Sequence, residues 1–201
     1  MKLARACTIQ TGFTARGRLD PAEHGNILAL RLRDVAANGT INFNNLTRIY
    51  LDAIPEKYLV GAGDVVFRSR SASMSAAVID TPLPLPALAV LPLMILRPDP
   101  QVLSGAYLAW AINQEPSQRY FEESAQGTSL QMVSRASLEN LDIAVPGLDT
   151  QERILQIAAL AERERDLADQ LSLKRHELIR RLLVERASKR TAATRKETIK
   201  K

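Results

Sequence analysis

The sequence predicts an α+β protein in which a mixed, β-rich domain over residues 1–146 precedes a long α-helix over residues 147–187. Two observations indicate this class. Short apolar runs bounded by Gly, Pro and Asn turns dominate the first range, which is typical of strands. In contrast, residues 149–186 contain neither Gly nor Pro, and their apolar residues recur at helical spacing. The domain boundary is therefore predicted at Pro146-Gly147-Leu148.

The predicted long helix carries one apolar stripe. Asp149 with Glu152 three residues later has the form of a capping box, which predicts the start of the helix. At about 1.5 Å per residue the helix reaches roughly 55 Å, longer than a domain of this size is wide. We therefore expect it to project and to pair with another helix. The predicted interface is Ile154, Ile157, Leu160, Leu167, Leu171, Leu178 and Leu182.

The first domain is predicted to contain several short elements. One strand is predicted at 58–60 and another at 65–67, on either side of a tight connection. Ser104 is predicted to cap a helix over 105–113, and Pro116 to open a second helix that ends near residue 124. The further predicted strands are 26–32, 76–79, 87–96 and a closing strand at 138–146.

The positive charge is concentrated at one end of the chain. The formal net charge is +5, but residues 186–201 carry seven Lys or Arg and one Glu, so the remainder is close to neutral. We interpret residues 188–201 as a basic, disordered tail that is attracted to phosphate. A tail that only solubilises the protein is the alternative.

The composition argues against a metal centre and a membrane span. Cys7 is the one cysteine, and the two histidines, His24 and His176, are far apart in the sequence. The N-terminus has no apolar signal segment, and prolines interrupt the apolar run at 82–96. We expect a soluble protein of the reducing cytoplasm, with no metal and no cofactor of its own.

No catalytic constellation is present in the sequence. There is no Gly-x-x-x-x-Gly-Lys-Ser/Thr phosphate loop, and the glycines form no dinucleotide or methyl-donor fingerprint. The Asn/Asp-Pro-Pro-aromatic motif of base-methylating enzymes is absent too. Neither histidine is placed to suggest a nucleophile–base pair. We therefore predict a binding protein and not an enzyme.

Three polar sets are candidates for a binding site. The strongest is Arg68-Ser69-Arg70, because a predicted strand ends there with two guanidinium groups beside a hydroxyl. Arg binds phosphate or guanine, whereas amides and hydroxyls suit base edges. A solvated loop is the alternative interpretation of each set. The other two sets are Arg16 with Arg18, and Gln126, Thr128, Ser129 and Gln131.

Five segments, in their order along the chain, resemble the specificity (S) subunit of type I restriction–modification systems. The family motifs read roughly Gly-Asp followed by apolar residues and Ser or Arg, Tyr-Leu before Leu-Asn, Gly-Ser/Thr, Leu-x-x-Ile-x-apolar-Pro, and Gln-x-x-Ile. The matching segments here are 63–70, 106–113, 126–129, 138–146 and 151–154. Each motif is loose, so the resemblance depends on their order and spacing. It covers nearly the whole chain, up to about residue 186.

The resemblance implies a target recognition domain followed by a conserved-region helix. Usual S subunits carry two of each, and their helices pack as an antiparallel coiled coil between the recognition domains. One set is present here, so the chain is similar to a half-subunit that dimerises. The implied target is a bipartite palindrome in double-stranded DNA. The implied partners are a second copy of the chain, a methyltransferase subunit that supplies the S-adenosylmethionine chemistry, and a restriction subunit.

Two other functions are compatible with parts of the sequence. A structural adaptor would use the long helix to dock a protein partner without sequence-specific DNA binding. It fits the near-neutral charge of the first domain better, since DNA-binding domains are often basic. An enzyme acting on its own is the third possibility, and no constellation in the sequence supports it.

Overall fold

The computed structural model describes residues 1–15, 17–70, 74–124 and 132–198, with side chains as far as Ala187. The chain divides into a first unit, Met1–Leu155, and a second unit, Gln156–Lys201. In the described part of the first unit there are eight strands. They are β1 (Cys7–Thr11), β2 (Ile27–Leu30), β3 (Thr47–Ile49), β4 (Leu59–Val60), β5 (Val65–Arg68), β6 (Ala76–Val78), β7 (Ala87–Ala89) and β8 (Leu93–Pro98).

The strands form two sheets of four. The first sheet has the order β1-β8-β5-β6 and is antiparallel throughout. The second has the order β3-β2-β7-β4, and its central pair, β2 and β7, is parallel. Four short 3₁₀ segments join or flank the strands; they are Leu3–Arg5, Leu32–Asp34, Phe43–Asn45 and Glu56–Tyr58.

Alternation along the strands fixes the layers of this unit. Val66 of β5 lies in an apolar cluster between the two sheets, whereas Val65 and Phe67 lie in a second cluster on the opposite face. Successive side chains of a strand point to opposite faces, so one strand supplies both clusters. The same alternation places Leu28 of β2 in the inter-sheet cluster and Ile27 in a third cluster, on the outer face of the second sheet.

Helices cover the free face of the first sheet. They are α1 (Gly105–Ile112), α2 (Glu115–Ser124) and α3 (Arg135–Glu139). Ser104 caps α1 as predicted, because its Oγ accepts a hydrogen bond from the Tyr107 backbone N–H at 3.1 Å. Phe121 of α2 packs on Phe67 of β5 with ring centroids 5.1 Å apart. The two short predicted helices are thus confirmed.

The two strands predicted around the turn at 61–64 are confirmed, but they belong to different sheets. β4 and β5 are not neighbours: Val60 pairs with Ala87 in the second sheet, whereas Val65 pairs with Leu96 in the first. The chain changes sheets at the intervening turn, where Gly63 has φ +89°. The predicted strand 87–96 is divided in the same way, into β7 and β8.

The predicted closing strand at 138–146 is wrong in its first part. Leu138 belongs to α3, which Ser134 caps by accepting a hydrogen bond from the Ser137 N–H at 3.0 Å. After the helix, Asp142 forms an isolated β-bridge with Lys2, which is not extended into a strand in the described residues. Leu141 and Ile143 are nevertheless buried. The apolar spacing that we interpreted as one strand comes from a helical turn followed by a short extended segment.

The long helix, α4 (Leu148–Thr198), begins slightly earlier than the predicted cap. The Gly147 carbonyl accepts hydrogen bonds from the N–H groups of Thr150 and Gln151, so Asp149 lies within the first turn. There its carboxylate interacts favourably with the positive end of the helix dipole and stabilises the helix. At its other end the helix continues past residue 187, where we had predicted a tail. No helix in the described residues is long and apolar enough to cross a membrane.

Gln151 fastens the beginning of α4 within the first unit. Its side chain is buried and makes three hydrogen bonds: Oε1 accepts from the Ser104 N–H at 3.0 Å, and Nε2 donates to the carbonyls of Val102 and Pro146 at 2.8 Å each. Ile154 packs in part against the apolar cluster under the helices. Because of this contact Ile154 is only partly exposed, whereas the other residues of the predicted interface are exposed.

Candidate functional site

The end of β5 lies beside the start of β8 and the ends of β1 and β7. Arg68 pairs with Leu93, the first residue of β8, and the Gly12 N–H after β1 donates to the Leu93 carbonyl at 2.8 Å. Phe13 then donates its N–H to Ala89 at the end of β7. We call this end of the first unit the Arg68 end. It is formed by strand termini from both sheets.

Arg68 is a half-buried cation at this end. Its Nε is buried and has no hydrogen-bond partner among the described residues. Burial lowers the pKa of the Arg68 guanidinium, although an arginine side chain still remains charged at neutral pH. A cation that is already partly removed from water and has a free donor is a favourable partner for an incoming anion or carbonyl.

Ser69 has a structural contact instead of a free hydroxyl. The residue is buried, and its Oγ donates to the Pro92 carbonyl at 2.5 Å. Its backbone carbonyl accepts from the Val133 N–H at 2.9 Å. This burial does not agree with a direct contact between Ser69 and DNA, which the sequence predicted. The serine instead fixes the backbone between the two arginines.

Arg70 is exposed, and its side chain makes no hydrogen bond or ion pair within the described structure. Its backbone forms an isolated bridge with Met132. Met132 is the first described residue after the third predicted polar set. Gln126, Thr128, Ser129 and Gln131 fall outside the described residues, as does Arg16.

Arg18 is exposed and pairs with Asp20, with 3.0 Å between Nε and Oδ1. An exposed pair of this kind contributes little to stability, but it offsets part of the positive charge. No hydrogen bond or ion pair among the described residues joins Arg18 to Arg68 or Arg70.

A polar cavity was missed by the sequence interpretation. A hairpin over residues 34–42, with a bridge between Val35 and Ile41, forms one wall of a cavity of about 560 Å³. The sequence signal was the alternation of polar and apolar residues after the Asn38-Gly39 turn. The lining residues are Arg33, Asp34, Ala36, Thr40, Ile41, Asn42, Phe43, Asn44 and Thr81.

The charge of the cavity is close to balanced. Arg33 Nε lies 3.6 Å from Oδ1 of the buried Asp34, and Arg33 Nη2 donates to Thr47 Oγ1 at 2.9 Å. The other Asp34 oxygen accepts from the Arg31 backbone N–H at 2.8 Å. The one arginine of the cavity is thus held beside a carboxylate, and the remaining polar groups are neutral amides and hydroxyls.

The opposite end of the first sheet holds the other perturbed groups. Burial raises the pKa of the Cys7 thiol to about 12, which makes this cysteine unreactive. Burial also raises the pKa of Asp64, and Arg97, 3.6 Å away, opposes that shift. No group of three or more His, Cys, Asp or Glu that could hold a metal is found within the described ranges.

The second unit presents an apolar stripe on α4. We use this name for Ile157, Leu160, Leu167, Leu171, Leu178 and Leu182, whose exposed fractions lie between 49% and 70%. The spacing of three, four and seven residues keeps these side chains on one face of the helix. An uncovered stripe of this length is typical of a surface that binds another helix.

The fold is the one found in specificity subunits. No family model and no curated protein sequence matches the chain. A chain from a study of complex assembly and conformational transition of the type I R-M system is similar with a TM-score of 0.66 and 20% identity, over 90% of this chain and 42% of that one. The HsdS subunit from Thermoanaerobacter tengcongensis is similar with a TM-score of 0.57 and 19% identity. The likeness covers 82% of this chain and 37% of that one.

A third similar structure is the type I restriction–modification system S subunit from M. genitalium, with a TM-score of 0.52, 15% identity, and coverage of 87% of this chain and 42% of that one. The likeness includes most of the chain in each case. The chain spans about two fifths of the length of these structures. They show its fold: two packed sheets with helices, followed by a long helix.

Proposed function

We propose that this chain is a non-catalytic DNA-recognition subunit of a type I restriction–modification system. The observation that carries the proposal is the fold, which is shared with S subunits over 82–90% of this chain. The order of the sequence motifs supports the same family independently. In this proposal the first unit is a target recognition domain, and α4 is the conserved-region helix.

The Arg68 end is the proposed DNA-binding surface. Arg70 is exposed and unpaired within the described structure, and Arg68, two residues before it, is half-buried. Guanidinium groups bind phosphate or guanine with paired hydrogen bonds. Two of them at the end of one strand, held in place by Ser69, can approach a duplex together. In this proposal Gln126, Thr128, Ser129 and Gln131, which lie outside the described residues, also contact DNA.

The proposed oligomer is a homodimer in which two α4 helices form an antiparallel coiled coil. The exposed apolar stripe supports this pairing, because contact with a second stripe removes these side chains from water. A two-fold dimer would hold two recognition domains apart along the duplex. Its target would then be a bipartite palindrome with a spacer of fixed length.

The proposed enzymatic partner is a DNA methyltransferase subunit that binds S-adenosylmethionine, with a restriction subunit as a further partner. The chain itself would select the site and the partner would modify it, in the cytoplasm. This division of roles follows from the absence of a catalytic motif in the sequence and from the shared fold.

Selection from a random duplex library tests the proposed function. The purified full-length chain is incubated with the library, and bound DNA is amplified and sequenced over several rounds. We expect enrichment of one sequence whose two halves are related by two-fold symmetry. Enrichment of no sequence, with or without a type I methyltransferase subunit, would contradict the proposal and favour the structural adaptor.

A further inference from the structure

We infer that the polar cavity beside the 34–42 hairpin is a base-reading site, in which Asn42 and Asn44 recognise the edges of DNA bases. This inference rests on the proposed function and adds specificity residues to it. The cavity lies on the first unit, and its lining combines amide and hydroxyl groups with one arginine.

The chemistry of the lining favours bases over phosphate. Phosphate contacts are made most strongly by unpaired cations, whereas Arg33 is beside the buried Asp34 and also donates to Thr47. The remaining polar groups are neutral. An Asn side chain can donate to N7 and accept from the N6 amino group of adenine at the same time, with its amide N–H and carbonyl. The cavity can therefore discriminate between bases while contributing little positive charge to the DNA-binding surface.

Asn42 and Asn44 are available for such contacts. Both are exposed, and neither side chain makes a hydrogen bond within the described structure. Other asparagines of the first unit have structural roles: Asn113, for example, makes two hydrogen bonds with the backbone of Ala76, and the Asn38 Oδ1 accepts from the Thr40 hydroxyl at 2.8 Å. Folding thus does not account for the amides at 42 and 44.

The wall that carries these amides is held rigidly. Asn42 donates its N–H to the Asp34 carbonyl at 3.1 Å, which closes the hairpin. Ile41 and Phe43, on either side of Asn42, pack against the inter-sheet cluster. A residue whose backbone is already fixed loses less conformational entropy when its side chain binds. Such preorganisation is what direct readout of a base requires.

Hydrogen bonds link the wall of the cavity to the strand that carries Arg68. The Arg68 N–H donates to the Ser75 carbonyl at 2.9 Å, and the Ser75 hydroxyl donates to the carbonyl of Ala36 at 3.1 Å. Ala36 is a lining residue of the cavity. Two hydrogen bonds therefore join the arginine loop to the cavity wall. One duplex can meet cations at the loop and amides in the cavity.

The test uses the full-length chain and three single variants, Asn42→Ala, Asn44→Ala and Asn45→Ala. Asn45 is the matched control, because it is exposed and adjacent in sequence but does not line the cavity. Each protein selects from the same random duplex library, and its affinity for the wild-type target is then measured at several salt concentrations. Thermal unfolding followed by circular dichroism checks that the variants fold.

We expect Asn42→Ala or Asn44→Ala to lose preference at one or two positions of the target. Affinity for that target should fall by about 5- to 150-fold, the range for one bidentate base contact. Salt dependence should be unchanged, since no phosphate contact is lost. Asn45→Ala should resemble the wild type in each measurement.

Three results would overturn the inference, and they are distinguishable from one another. If the wild type selects a sequence and both cavity variants select the same one with the same affinity, the cavity reads no base while the proposed function stands. If the wild type selects no sequence, the proposed function fails and this inference fails with it. A uniform loss of affinity with a smaller salt slope would indicate phosphate binding, and it would also overturn base readout.

Discussion

Ser69 and Pro92 are joined by a hydrogen bond of 2.5 Å from the serine hydroxyl to the proline carbonyl, and this contact fixes the loop between Arg68 and Arg70. The bond links the end of β5 to the turn between β7 and β8, so it also connects the two sheets at their shared end. Two cations that bracket a buried serine are held by the fold itself. The predictions below begin from this loop.

Replacing Ser69 with alanine should lower stability and weaken DNA binding together. The variant loses a buried hydrogen bond, and we expect the free energy of unfolding to fall by about 1–2 kcal/mol. Urea denaturation measures this change. Ser172→Ala, at an exposed position of α4, is the control and should leave stability unchanged. Full stability of the Ser69 variant would remove the serine from the positioning role.

Arg70→Ala should weaken DNA binding without affecting stability, because the side chain is exposed and unpaired in the described structure. If the residue contacts phosphate, the slope of log affinity against log salt concentration should decrease in magnitude by about 1. If it reads a base, the binding free energy should weaken by about 1–3 kcal/mol and the preference at one target position should be lost. Fluorescence anisotropy at several salt concentrations distinguishes these cases. Arg119→Ala, on α2, is a control of equal charge, and equal losses in both variants would exclude a specific role for Arg70.

Arg68→Met should separate DNA binding from folding. Methionine keeps an apolar stem but removes the guanidinium, whose buried Nε has no partner among the described residues. Stability should be unchanged or slightly higher, since an unpaired buried donor is costly. DNA affinity should fall. A marked loss of stability, measured by thermal unfolding, would mean that the guanidinium has a structural role.

Leu171→Asp should give a monomer, because it places a charge within the apolar stripe. Light scattering should then report 22.2 kDa, in place of about twice that mass for the wild type. Leu173→Asp is the matched control: Leu173 is 71% exposed but lies off the stripe, so its variant should remain a dimer. A Leu171 variant that still dimerises would assign the pairing to another surface.

Gly39→Ala should destabilise the hairpin that forms the cavity wall. Gly39 has φ +78°, and a Cβ would lie 2.6 Å from both the Ala76 carbonyl oxygen and Asn113 Nδ2. Strain in this backbone region costs on the order of 1 kcal/mol or more. Chemical denaturation should detect the loss. An unchanged midpoint would show that the hairpin can shift without cost.

Local signals in the sequence predicted the elements whose hydrogen bonds are local. Ser104 caps α1 as its position before an apolar helical pattern indicated, and α4 follows from the absence of Gly and Pro. The sheet assignment of β4 and β5 did not follow. Their partners, Ala87 and Leu96, lie 27 and 31 residues away from Val60 and Val65, and no local pattern encodes such pairing.

The candidate DNA-binding residues stay a prediction, and the structure shows how far each described one is exposed. Arg70 is exposed as expected, but Ser69 between the two arginines is buried because its small side chain fits against Pro92. Asn42 and Asn44, which line the cavity, were in none of the predicted sets. Their alternation with Ile41 and Phe43 was the available signal, and only the burial of the apolar residues shows which face is free.

Hydroxyl-radical footprinting on the selected duplex tests the central claim most directly. The full-length protein is bound to a target obtained by library selection, and cleavage is mapped on both strands. The account predicts two protected segments, related by two-fold symmetry and separated by an unprotected spacer of fixed length. A single protected segment, or protection that is uniform and independent of sequence, would contradict it.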